Sequence, residues 1–120
     1  MYGVTPSMLA KLYVKGSLQN TEEGFSYQIK NLIDSGSISG IDKLSVDGVE
    51  HSLEGITVQI GAKVRPISEI TWAKSLYLSY GATLTVCVPG KLKAGEHTIN
   101  MQANVPELGR ISFPVKDTIE

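Results

Sequence analysis

The stretch Thr98–Val105, "TINMQANV", alternates without a break. Ile99, Met101, Ala103 and Val105 fall on one side, and Thr98, Asn100, Gln102 and Asn104 on the other. A period of two belongs to a strand with one buried and one solvated face, and a helix cannot satisfy it. The pattern recurs along the chain. Phe25, Tyr27 and Ile29 alternate with Ser26, Gln28 and Lys30; Ile56, Val58 and Ile60 with Thr57, Gln59 and Gly61; Leu84, Val86 and Val88 with Thr83, Thr85 and Cys87. In Arg110–Lys116 the inward set is Ile111, Phe113 and Val115. Pro114 has no N–H to give a neighbour, which puts that strand at a sheet edge.

Turn signals separate these runs. Asp47-Gly48 is a strong short hairpin signal, because both residues tolerate positive φ. "DSGSISG" reads as a loop, Met8–Val14 has strand-like content, and Ile67–Lys74 is a candidate helical turn after Pro66. "YGATLTVCVPGKLKAGEHTINMQANV" reads as two strands joined by a tight glycine-bearing hairpin that presents a rigid edge. The expected fold is all-β: a single-domain β-sandwich of immunoglobulin-like appearance, with about seven to eight antiparallel strands. The Cys…Trp…Cys spacing of true immunoglobulin domains is missing. Residues 1–7, with Gly3 and Pro6, read as a loose lead-in, and 8–120 as the domain. A chain of 120 residues buries enough surface for one core without metal or disulfides.

A net charge of −1 with no Lys/Arg cluster argues against nucleic acid and anionic membranes, which require a basic stripe. No apolar run reaches membrane-spanning length. The N-terminus has neither the basic nor the long apolar region of a signal peptide. The single cysteine, Cys87, sits within an apolar alternation and reads as a packed thiol. These features together predict a cytoplasmic protein.

No catalytic set can be assembled from the motifs. His51 and His97 lack the spacing of metal ligands, no serine has a nucleophile-elbow context, and Glu22-Glu23 lies in a polar loop. Lys91 and Lys93 read as a solvated turn feeding a strand, unlike a phosphate loop. We therefore expect no catalytic residue, no metal ligand and no cofactor in this chain. Trp72, Tyr77 and Tyr80, with His97, are the candidates for contact with a partner or ligand. One reading has Trp72 capping the core and the tyrosines packing at its edge; the other makes them an aromatic patch for a sugar, a flat aglycone or a subunit.

The order "VKGSLQN", "GFSYQI", "SISGIDKLSVDGVE", "ITVQIG", "YGATLTVCVPGKLKAGEH" and "ISFPVKD" resembles the small β-subunit of bacterial C-glycoside deglycosylases over residues 11–117. The "SVDGVE" turn and Leu92–Ile99 are its most distinctive pieces. The resemblance implies a non-catalytic sandwich bracing a TIM-barrel α-subunit in a hetero-oligomer. That partner would carry a divalent metal, manganese, and cleave the carbon–carbon bond of a 3-oxo-C-glycoside. The competing expectation is a stand-alone carbohydrate-binding or protein-interaction module.

Overall fold

Alternation along single strands becomes two facing sheets. In chain order the strands are β1 (Gln19–Asn20), β2 (Gly24–Lys30), β3 (Gly36–Ile38), β4 (Gly40–Val46), β5 (Val49–Glu50), β6 (Thr57–Ile60), β7 (Lys63–Pro66), β8 (Leu76–Leu78), β9 (Thr83–Pro89), β10 (Gly95–Val105) and β11 (Gly109–Ile119). They come from a computed structural model that describes residues 8–9 and 11–120; the expected lead-in at 1–7, Ala10 and the side chain of Phe113 lie outside the described residues. One sheet has the order β1-β2-β9-β6-β7 and the other β11-β10-β4-β5, while β3 and β8 form a separate ribbon. Every pairing is antiparallel. The all-β single-domain reading is correct.

The inward rows meet as the alternation requires. Phe25, Tyr27, Ile29, Val58, Leu84, Val86 and Val88 of the first sheet are buried with Leu44, Val46, Ile99, Met101, Ala103 and Val115 of the second. The Tyr27 hydroxyl donates to Met101 Sδ across the gap at 3.5 Å. Each such large apolar side chain contributes about 1.5–3 kcal/mol by leaving water. Pro114 lies on β11, an edge strand, as its missing N–H demands.

Several local expectations need correction. β9 and β10 do not form a hairpin: β9 is central in the first sheet and β10 is central in the second, so "GKLKA" crosses between sheets and offers no edge. The Asn20 side chain grips this crossing at Leu92, accepting its N–H and donating to its carbonyl, both at 2.9 Å. The described residues of 8–14 supply one isolated bridge, Tyr13 to Ile29, instead of the expected strand. Two backbone bonds, Val14 N–H to Gln28 O and Lys30 N–H to Leu12 O, lay that arm along the edge of β2. The Ser/Gly loop contains β3, made a strand by its partner β8. Pro66 closes β7 at a sheet edge, and only Ile67–Glu69 of the expected helical turn winds, as a 3-10 turn.

Candidate binding cleft

Residues of both sheets and of the ribbon line one cleft, and most of its lining surface is carbon. Ile29 and Leu84 from the first sheet, Met101, Ala103 and Ile111 from the second, and Leu78 of the ribbon face a cleft of about 400 Å³. The segment 31–38 and the β10–β11 turn close its sides, with Leu9 and Leu12 from the N-terminal arm. The volume lies in the range of ligand pockets.

Asn31 fixes the loop beside the cleft. Its amide donates to Asp34 O at 2.7 Å and Leu78 O at 2.9 Å, and its Oδ1 accepts the Ile33 N–H at 3.2 Å. Its polar capacity is thus spent on the wall. The exposed rim carries Asp34, Ser35 and Glu107. The Glu107 carboxylate lies over Gly36, at ordinary contact distance from where a Cβ would stand there.

The aromatic candidates are all exposed. Trp72, Tyr77 and Tyr80 are 76%, 63% and 62% exposed. At that exposure Trp72 does not cap the core, and no ring contact joins the three among the described residues. Trp72 rides on a separate loop whose backbone is held by Arg65: its guanidinium donates to Glu69 O, Lys74 O and Ser75 O at 2.9–3.2 Å. Tyr77 points outward from β8 between buried Leu76 and Leu78. Tyr80 stands beside the cleft, its N–H bonded to Ser35 Oγ at 2.8 Å. Sequence reasoning missed the cleft because its lining comes from inward rows that read as ordinary core.

His97 is a structural clamp by its contacts. Its ring, 12% exposed, faces Asp47 Oδ2 through Nδ1 and Lys93 O through Nε2, both at 2.7 Å. Asp47 Oδ1 also accepts the Thr98 N–H at 2.8 Å. Asp47 and Gly48 hold φ +53° and +82°, the left-handed pair of the expected turn. The Lys93 carbonyl and then the Asp47 carboxylate raise the His97 pKa above its ordinary value. Asp47 is held below the usual carboxylate range by the Thr98 N–H and by His97. His51 lies edge-on to Phe25, ring centroids 6.1 Å apart. Cys87 is a half-buried free thiol on the outer row of β9.

Among the described residues no three His, Cys, Asp or Glu side chains converge as a metal site, and no helix is long and apolar enough to cross a membrane. Fold and site together define an all-β domain built around an apolar cleft with an acidic rim. The family model described as hydroxymethylglutaryl-CoA reductase, N-terminal domain, matches residues 8–120, and the chain belongs to that family. No curated protein gives a significant match. The match overturns the likeness to a C-glycoside deglycosylase subunit, and with it the lyase and carbohydrate reading. The TIM-barrel partner and its manganese were implied by that likeness alone and have no other support.

The described lining offers the phosphates of coenzyme A no partner. These phosphates require cations or helix N-termini, whereas no Lys or Arg is among the lining residues and Asp34 and Glu107 stand at the rim.

Proposed function

We propose that this chain is a binding domain of a hydroxymethylglutaryl-CoA reductase-type protein. It takes an apolar segment of polypeptide into the cleft between its sheets and leaves the reduction of the thioester to other parts of such a protein. The observation that carries this reading is the preformed cleft with its carbon-lined walls. Pockets of this kind bind by burying apolar surface while a few polar groups set orientation. A polypeptide fits better than a small ligand because apolar surface continues past the cleft. Exposed Leu32 adjoins the lining residues Asn31 and Ile33, and exposed Tyr80 is bonded to Ser35. Tyr80 therefore belongs to the contact surface, and Trp72, on the loop whose backbone Arg65 holds, is available for a second contact.

The cytoplasmic setting also remains a proposal, supported by Cys87, a thiol with no second cysteine in the chain.

The test compares the chain with an Ile111→Trp variant, which fills the cleft from the half-buried lining of edge strand β11. A fluorescent peptide with a Leu-Phe-Ile-Leu centre should bind the native chain, and the variant should bind it at least about tenfold more weakly, the loss of one large apolar contact. Neither chain should turn over hydroxymethylglutaryl-CoA with a reduced nicotinamide. Equal binding by both chains, or turnover by the native chain alone, would overturn the proposal.

A further inference from the structure

The chemistry of the rim goes further than the chemistry of the walls. Asp34 and Glu107 both line the cleft and both are exposed. Among the described residues neither has an ion-pair partner. The ion pairs are Lys43 with Glu50, His97 with Asp47, and Arg110 with Asp42. Arg110 lies close in sequence to Glu107 and Ile111, yet its guanidinium is turned to Asp42 at 3.6 Å. The Asp34 side chain accepts one bond, from the Ser35 N–H at 2.8 Å, through Oδ1. Its Oδ2 remains free to accept. The Glu107 carboxylate leans over the backbone of Gly36 with no hydrogen-bond donor among the described residues.

Local structure holds both acids in place. Glu107 sits in the tight turn joining β10 to β11, closed by the Leu108 N–H to Val105 O bond at 2.9 Å. Gly109 follows at φ +81°, a conformation that glycine adopts without strain. Asp34 is held by the Asn31 amide, which donates to its backbone carbonyl. Two carboxylates thus flank one apolar opening, on two different segments, and no cation among the described residues pairs with either.

We infer that the cleft takes a polypeptide segment whose apolar anchors are flanked by Lys or Arg, the cations meeting Asp34 and Glu107 at the rim. This rests on the binding role proposed above and adds the charge of the partner. The same rim selects against acidic segments and against polyanions such as the coenzyme A phosphates, because a like charge brought to an apolar opening is both repelled and desolvated. The anchors supply affinity, and the rim supplies selection and speed of encounter.

The experiment uses the full chain and peptides that share a Leu-Phe-Ile-Leu centre and differ only in their flanks, all Lys, all Gln or all Glu. Dissociation constants are measured by calorimetry at low and high ionic strength. At low salt the Lys peptide should bind about three- to tenfold more tightly than the Gln peptide, as expected for two exposed ion pairs. The Glu peptide should be the weakest. High salt should compress the series, and a combined Asp34→Asn, Glu107→Gln variant should erase the difference while retaining the Gln peptide. These substitutions lie on the exposed rim, so loss of folding does not confuse the result.

Binding of all three peptides with equal affinity would overturn the charge inference and leave the binding role standing. Binding of none would overturn both. A concentration-dependent dimer that Ile111→Trp dissociates would make a second copy the occupant, which also contradicts the inference.

Discussion

An imidazole between two acceptors has one way to satisfy both, which is to carry two N–H groups. His97 is in that position, between the Lys93 carbonyl and the Asp47 carboxylate. Its folded pKa is raised, so its contribution to stability is fully present below its unfolded value and is lost as pH rises through the folded one. Asp47 has a lowered pKa and behaves oppositely, contributing above its unfolded value and losing that contribution in acid. His97→Gln should therefore lower the melting temperature by about 3–5 °C near pH 6, roughly the worth of one hydrogen bond. The gap should shrink towards pH 9. Thermal melts across that range would check this, and a gap independent of pH would contradict it. Asp117 is a second anchor. Its Oδ2 accepts from the Tyr13 hydroxyl at 2.6 Å and from the Gly16 and Leu18 N–H groups at 2.8 and 3.3 Å. Burial pushes its pKa up, but the bond from Tyr13 and those from Thr118, Leu18 and Gly16 outweigh it, and the net shift is downward. Asp117→Ala should cost about 1–3 kcal/mol in chemical denaturation, since it leaves several donors unmatched.

Strands were legible where alternation is internal to a segment and illegible where pairing is not. β2, β6, β9, β10 and β11 follow from their own residues, and the β4–β5 turn follows from Asp47-Gly48. The destination of a strand does not follow. The period-two pattern on either side of "GKLKA" is the same whether the strands pair with each other or cross between sheets. The structure sends them to different sheets, with Asn20 holding Leu92 on the way. β3 was hidden for the complementary reason: "GSI" has no strand signal until Leu76–Leu78 lies beside it. Gly24 opens β2 at a close approach that alternation cannot reveal. A Cβ there would run into the Val88 carbonyl of β9, and the backbone cannot yield without breaking the central pairing. Gly24→Ala should cost about 3 kcal/mol or more, at the upper end for overpacking. Gly48→Ala, strained only by its φ of +82° and meeting nothing within 4 Å, should cost about 1 kcal/mol. Comparing the two by urea denaturation would check the order.

At the scale of the whole molecule, the pieces that suggested a deglycosylase subunit are backbone solutions. Gly48 in "SVDGVE" and Gly95 in the run from Leu92 to Ile99 both stand at positive φ, at +82° and +119°. Any sandwich that turns there has use for such residues, so they report local geometry rather than ancestry. The family match instead extends over residues 8–120. The cleft was invisible in sequence because its walls are the inward rows of the same strands that build the core; Met101, Ala103 and Ile111 line its open space, although Met101 and Ala103 are themselves buried. That open space is the basis of the binding account, and methyl NMR of the full chain tests it most directly. Titration with the Gln-flanked Leu-Phe-Ile-Leu peptide should shift the methyl signals of Ile33, Ile38, Met101, Leu108 and Ile111 and leave Val58 and Ile70 unmoved, since these are buried away from the cleft. Shifts spread evenly over the molecule, or centred on the loop around Trp72, would contradict the account.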